Sequence, residues 1–290
     1  MYTVLLYYAY TEIKDPELFM NEQKQLCTRL GLLGRIIIAK EGINGTVDGT
    51  KEATDEYMKT MEAHPLFANI KWHWKISSSP KRAFPRLSVK VRSEIVSSYL
   101  DKNGMPIDPR QVTGKRLKPE ELRTWYEQGK KFVVVDMRND YEYQVGRFKD
   151  SINPELPHFR DLPKVLPILQ KYKEEKVPIL SVCTGGVRCE KASGYLIKNG
   201  FDDVYQLDGG MVSYMEKYPG KDFEGSLFVF DQRSTMHFDS PEKHVVVGRC
   251  ELCNKESEKF LNCKNNKCGR LFICCTDCGG KDRTISCKRC

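Results

Sequence analysis

Between Val177 and Gly200 the chain reads VPILSVCTGGVRCEKASGYLIKNG. A short apolar run, a glycine-containing turn and then helical periodicity describe a buried parallel strand that feeds directly into an amphipathic helix. Parallel strands need helices over both faces, so this stretch commits its part of the chain to an open α/β sheet. Cys183 ends the strand and therefore sits at the carboxyl edge of that sheet, where such folds build their sites.

The loop from Cys183 runs through Thr184, Gly185, Gly186 and Val187 to Arg188. Paired glycines let backbone N–H groups turn inward as an anion-binding nest. The following helix adds the positive end of its dipole, and Arg188 adds a guanidinium able to fork onto a planar or tetrahedral anion. All three favour thiolate over thiol. Helix N-termini and neighbouring cations bring cysteine pKa values from about 8.5 into the range of roughly 3.5 to 7.5. Cys183 is therefore expected as a nucleophile, with Arg188 beside it. An inert packing cysteine would need neither the glycines nor the arginine. Cys189, six residues on, is placed either to close a disulfide with Cys183 or to pack under the helix; Glu190 and Lys191 head that helix. Upstream, Phe132 to Val135 is an apolar strand ending at Asp136; Asp136 and Arg138 are expected to support the loop or to pair with each other.

These residues resemble the rhodanese domain. The Cys-x4-Arg loop after a strand matches its active-site loop, VVVDMRNDYEYQVGRF (133–148) its Asp-x-Arg and Tyr-Glu signature, and LDGGMVSY (207–214) its closing Gly-Gly stretch. Related phosphatase loops are one residue longer and sized for phosphate, whereas the shorter loop suits sulfur on sulfur. The family's usual Gly-His-Ile-x-Gly-Ala is replaced by GRFKDS (146–151), which argues against a generic thiosulfate enzyme.

A chain of 290 residues has room for two domains and a small third module. No run of about 18 apolar residues occurs, so no membrane span is expected. The start, MYTVLLYYAYTEIKD, alternates like a first strand and lacks a basic n-region and cleavage site, which points to the cytoplasm. Of 12 cysteines, only Cys27, Cys183 and Cys189 precede residue 250. The rest form the pairs Cys250 and Cys253, Cys263 and Cys268, Cys275 and Cys278, Cys287 and Cys290, with Cys274 as a spare. Two thiolates close in sequence grip one side of a tetrahedral zinc, so four pairs imply two structural sites. Spacing leaves open which pairs share a metal. The net charge is +8, and residues 243–290 hold eleven Lys and Arg against five Asp and Glu. Two tetrathiolate zinc sites would cancel most of that surplus, which puts the cationic face elsewhere.

Residues 1 to about 95 read as strand, helix, strand, strand, helix, strand, the order of a split, ferredoxin-like (acylphosphatase-like) sandwich. Strands are expected at 3–10, 34–39, 46–47, within 70–76 and at 87–91, with helices at 15–30 and 51–63 and KEGING as a turn. The segment 71–92 carries Lys71, Lys75, Lys81, Arg82, Arg86, Lys90 and Arg92 and no acid, interleaved with Trp72, Trp74 and Phe84. Cations track phosphates and aromatics stack on unpaired bases, so the seven are candidate RNA-binding residues. Alternation places both tryptophans on the core face. Residues 96–117 read as a linker, 118–222 as the rhodanese-like α/β domain, and 223–290 as an extension ending in the Cys-rich module from 248. The fold class is thus α+β joined to α/β, with a small zinc-type tail.

Taken together, AKEGINGT in the first part, CTGGVRCEKA in the middle and GRLFICCTDC in the tail resemble the bacterial tRNA uridine hydroxylase family over nearly the whole chain. That resemblance implies oxygen-dependent hydroxylation of the wobble uridine of tRNA to 5-hydroxyuridine, with Cys183 at the position of the family's active cysteine. Molecular oxygen is then a co-substrate and tRNA the partner; the sequence carries no flavin, haem or iron motif. Two other functions share the same residues: a sulfurtransferase carrying a persulfide on Cys183, and a non-catalytic, zinc-containing RNA-binding protein.

Overall fold

A computed structural model describes residues 1–70, 72–100, 104–239, 243–280 and 285–290. The first layer is built from β1 (Tyr2–Tyr10), α1 (Pro16–Arg29), β2 (Leu33–Ala39), β3 (Gly42–Gly49), α2 (Lys51–Ala63), β4 (Lys75–Ser79) and β5 (Leu87–Val91). Asp15 starts α1 by accepting the Leu18 N–H at 2.9 Å, with Pro16 in the first turn where a missing donor costs nothing. Thr50 caps α2 in the same way through Ala53. The strands lie in the order β4-β1-β3-β2-β5, antiparallel except for β5, which runs parallel to β2. This is the ferredoxin-like sandwich with one strand added.

Alternation along β1 decides what its two faces do. Leu5, Tyr7 and Ala9 join Phe19, Cys27, Ile36, Tyr57 and Met61 in the core under the helices. Leu6, Tyr8 and Tyr10 therefore face away from the helices. Trp72 and Trp74 stack at 4.7 Å and pack against the helix-side core, as their alternation requires. Two local expectations change. The fourth strand begins at Lys75 rather than near Ile70. The glycines of KEGING, read as a turn, lie at the start of a full strand, β3. A Cβ at Gly45 would come within 2.4 Å of the Tyr7 hydroxyl, so this glycine marks a close crossing instead of a reversal.

The second layer holds β6 (Lys115–Leu117), α3 (Pro119–Glu127), β7 (Val133–Asp136), α4 (Asp140–Val145), β8 (Gly146–Phe148), α5 (Val165–Glu174), β9 (Ile179–Val182), α6 (Val187–Lys198), β10 (Val204–Leu207) and α7 (Gly210–Lys217). β6, β10, β9 and β7 form one parallel sheet in that order. Every residue of β7 and β9 is buried. Val133, Val135 and Ile179 pack with Leu162, Leu169 and Leu196 on one side, while Val134, Leu180 and Val182 pack with Leu122, Met211 and Tyr214 on the other. This is the α/β layer that the first sequence stretch demands.

The aperiodic segment after β5 is not a free tether. Ile95, Leu100 and Ile107 are buried, and Asn44 donates to the Ile95 carbonyl at 3.1 Å. Lys191 of α6, 2% exposed, meets Glu94 of this segment and Glu41 of the β2–β3 turn, each at 2.8 Å. Removing the lysine would leave two carboxylates short of their cation, a loss of about 3–5 kcal/mol. The triad ties the two layers together through a segment whose sequence has no period.

The remainder is β11 (Phe223–Gly225), which pairs with β8, a short pair β12 (Leu227–Phe228) and β13 (Thr235–Met236), and a module of β14 (Phe260–Asn262), β15 (Leu271–Ile273) and α8 (Thr276–Gly279). Phe260 packs edge-on against Tyr141 of α4 and Phe228, which seats the module on the second layer.

Candidate active site

Cys183 follows β9 directly and lines a cavity of about 420 Å³ between the two layers. That volume is in the range of small-molecule sites. The Gly186 N–H donates to the sulfur at 3.2 Å. Gly186 holds φ +107°, a left-handed conformation that lets α6 begin at the next residue. Its missing Cβ is also needed, since one would lie 2.8 Å from the Tyr8 hydroxyl.

Arg188 does not present a free fork to the loop. Its two terminal nitrogens donate to the Glu142 carboxylate at 2.6 and 2.9 Å, and one also donates to the Thr184 hydroxyl at 3.2 Å. Glu142 lies in α4, within the DYEY stretch that resembles the rhodanese signature. Burial opposes ionisation of Cys183, yet the Cys189 thiol donates to its sulfur, Arg188 adds positive charge, and the Cys189 and Gly186 N–H groups point at it. Together they bring its pKa down to about 6. Burial pushes the Cys189 thiol up, and its hydrogen bond to Cys183 pushes it further. The proton therefore rests on Cys189 and the charge on Cys183.

Asp136 and Arg138 pair with each other. Arg138 Nε and Nη2 reach the Asp136 carboxylate at 2.9 and 2.7 Å, and Nη2 also donates to the Gly146 carbonyl at 2.6 Å. Both are fully buried and brace the end of β7, one strand from Cys183.

The open face of the first sheet roofs the loop. Tyr8 donates to Glu190 at 3.0 Å and Tyr10 to the Val187 carbonyl at 3.1 Å. Glu190, nearly buried, also accepts from Thr113 at 2.8 Å, from Gln206 at 3.0 Å and from Arg116. Phe230, an exposed aromatic, and the Asp231–Arg233 pair line the far wall; Arg233 holds Ser77 of β4 at 2.9 Å. Sequence reasoning leaves Tyr8, Tyr10 and Phe230 unassigned, because nothing local marks them, and gives Glu142 no role although it falls in the Tyr-Glu signature.

The basic segment divides. Arg86, Lys90 and Arg92 are exposed and line, with Arg35, a second hollow of about 390 Å³. It adjoins the cysteine cavity, sharing Arg35, Ile37 and Phe84. Lys81 is exposed outside that hollow. Arg82, also a candidate RNA-binding residue, folds its guanidinium back on the Asp48 and Gly31 carbonyls at 2.9 and 3.0 Å. Lys75 differs from the exposed members of the segment, being 5% exposed and on the wall of the cysteine cavity. Lys71 lies outside the described residues.

In the tail, Cys250, Cys253, Cys275 and Cys278 converge, as do Cys263, Cys268, Cys287 and Cys290, with all ligand atoms of a group within 4.8 Å of one another. First pair joins third and second joins fourth, the arrangement that spacing left open. The Sγ atoms of Cys253 and Cys275 are 3.5 Å apart, and those of Cys268 and Cys287 are 3.8 Å apart. Four sulfurs about 2.3 Å from a common centre are separated by roughly 3.8 Å; the second group also holds Cys263 and Cys290 at 3.1 Å and Cys287 and Cys290 at 3.2 Å, so each group gathers the four soft donors of a tetrahedral zinc, the second more tightly than the bound ion would leave it. Cys274 is buried beside the first group and belongs to neither.

A cysteine nest at the edge of a parallel sheet, braced by the Asp136–Arg138 pair, defines a rhodanese-like protein. The profile of the rhodanese-like domain matches residues 118–217, that of the UPF0176 acylphosphatase like domain residues 2–95, and that of the rhodanase C-terminal region residues 224–290. The tRNA uridine(34) hydroxylase of Bacillus cytotoxicus is 43% identical over 94% of this chain and 82% of its own length, and that of Cytophaga hutchinsonii 42% identical over 97% and 86%. The chain belongs to the tRNA uridine(34) hydroxylase family. Among solved structures, a rhodanese-like domain protein of Staphylococcus aureus is 27% identical, with a TM-score of 0.30 over 34% of this chain and 90% of that one.

Proposed function

We propose that this protein is an oxidoreductase that hydroxylates the wobble uridine of tRNA to 5-hydroxyuridine, with Cys183 as the residue that meets the base and molecular oxygen as co-substrate. The observation that carries this is a thiolate on the wall of a cavity of about 420 Å³, large enough to admit a nucleobase, that adjoins a cationic hollow. An enzyme acting on a base needs a pocket for that base and a track for its backbone, and the two adjoining hollows have those characters. The family relationship supports the substrate and the reaction. The protein works where tRNA is, in the cytoplasm, and two structural zinc ions hold its tail. Incubating purified protein with tRNA lacking the modification, in air and then without oxygen, tests it by nucleoside mass spectrometry. 5-Hydroxyuridine appearing only in air is the expected result. Sulfur transfer from thiosulfate to cyanide by the purified protein, with the tRNA left unmodified, would instead make it a sulfurtransferase.

The depressed pKa of Cys183 sets a pH signature. A group ionised above about pH 6 reacts at full rate at neutrality and slows only as pH falls through that value. Iodoacetamide should therefore label Cys183 at pH 7 almost as fast as at pH 9, with the midpoint near 6. A midpoint near 8.5 would show that the cradle does not hold the charge.

The hollow of Arg35, Arg86, Lys90 and Arg92 is the proposed backbone track. Neutralising Arg86 and Arg92 together should weaken tRNA binding about tenfold or more at low salt and flatten its salt dependence by roughly 1.4 in slope, since each phosphate contact on a single strand contributes about 0.7. Filter binding across a salt series reads both quantities. An unaltered slope would place the RNA on another face.

A further inference from the structure

We propose that Lys75 is a catalytic residue of the cysteine cavity, its ammonium donating to the 4-oxo group of the uracil while the Cys183 sulfur adds to C6. This rests on the tRNA-uridine reading above and names the residue on the cavity wall opposite the loop.

Lys75 opens β4 on the first layer, is 5% exposed and lines the same cavity as Cys183. An ammonium has three donors. Among the described residues one of them goes to the His73 carbonyl at 3.0 Å, and no carboxylate lies within ion-pair distance. Of the other cations that line the cavity, buried Arg188 is committed to Glu142 and half-buried Arg233 to Asp231, while Arg35 and Arg160 are exposed. Lys75 is thus a buried cation on the cavity wall with donors beyond the one given to His73. Its location ties it to the nucleophile: a Cβ at Gly209 would lie 3.5 Å from Lys75 Nζ. The turn that carries Gly209 is bonded to the loop through Met211 N–H on the Cys183 carbonyl at 2.9 Å and Val212 N–H on the Thr184 carbonyl at 3.2 Å.

The chemistry fits an ammonium at that point. When the thiolate pair forms the S–C6 bond, the C5–C6 π pair moves through C4 onto O4 as an enolate. A donor placed at O4 stabilises that charge. A proton delivered to C5 completes the adduct; its removal from C5 and loss of the thiolate from C6 return uridine, so the cycle consumes no oxidant. The enolate makes C5 electron-rich, which is the carbon that gains oxygen in the hydroxylation. Burial lowers the Lys75 pKa to about 8, opposed by Asp208 and Glu216 of the β10–α7 segment and by Cys183, and reinforced by Arg116 of β6. His73, two residues before it on the chain, lies 3.8 Å from Asp208. Lys75 therefore carries its proton at neutrality and can release it.

The test uses full-length protein and unmodified tRNA in deuterated buffer without oxygen, with mass spectrometry of the nucleoside at position 34. Wild type should exchange the C5 hydrogen for deuterium and Cys183→Ser should not. Lys75→Met should slow exchange about a hundredfold. Lys75→Arg should restore part of it, and exchange in wild type should change near pH 8 in a way that Lys75→Met does not reproduce. Should Lys75→Met fail to fold, Lys75→Gln and Lys75→Arg carry the comparison, with tRNA affinity as the control. Exchange at the wild-type rate in Lys75→Met and Lys75→Gln, or no exchange in wild type, would overturn the proposal. 5-Hydroxyuridine forming in air without any anaerobic exchange would overturn it and leave the hydroxylase reading standing; exchange without 5-hydroxyuridine would do the reverse.

Discussion

Replacing Cys183 with serine should remove 5-hydroxyuridine from position 34, a loss of roughly a thousandfold or more in rate. The reason is electronic. Serine fits the same nest and keeps the Gly186 N–H as a partner, so the loop between β9 and α6 retains its shape. Its hydroxyl, however, stays protonated in surroundings that leave a thiol ionised at neutrality, and an uncharged oxygen is a weak nucleophile. Nucleoside mass spectrometry of tRNA from cells whose only copy is the Cys183→Ser variant, with no other source of the nucleoside, reads the outcome. Wild-type levels of 5-hydroxyuridine in that strain would strip Cys183 of its role and favour an RNA-binding scaffold.

Stripping the metal should be the second large effect. The tail from 248 buries Phe272 with Cys250, Cys263, Cys274, Cys275 and Cys287, and among the described residues Leu252, Leu261, Cys278 and Ile285 pack against that cluster. So small a core holds a fold only with help, and structural zinc supplies on the order of 10 kcal/mol or more in comparable modules. Purified protein should contain two zinc ions per chain. Chelation, or Cys250→Ser with Cys263→Ser, should open residues 248–290 to protease while the parallel sheet, whose two cores lie elsewhere, stays protected. Hydroxylation should fall as well. Phe260 packs on Tyr141 and Arg289 lies 3.5 Å from Asp140, both residues of α4, the short helix that also positions Glu142 against Arg188. Less than one zinc per chain, or a tail equally resistant after chelation, would end the structural-zinc account.

Some of this was legible without coordinates because it is carried by neighbours in the chain. The apolar run before Cys183, the two glycines and the amphipathic stretch after them specify a strand, a nest and a helix by spacing alone. Cysteine pairs with two or four residues between them announce a metal group for the same reason. The alternation in β1 likewise reports which residues enter the core. Lys75 shows where such reading stops. Its segment is uniformly basic, and composition treats all seven cations alike, yet the register of β4 turns this one inward while Arg86, Lys90 and Arg92 remain on the surface.

What the chain's order alone determined is therefore the set of elements and their local chemistry: the ferredoxin-like layer, the parallel sheet, the activated cysteine and four thiolate pairs. Tertiary structure decided who meets whom. Tyr8 reaches Glu190 across 182 positions, Arg188 finds Glu142 across 46, and the cysteine pairs interleave first with third. Periodicity and spacing are short-range signals set by backbone geometry, whereas these contacts depend on how two separately formed layers close on each other, and no local pattern encodes that.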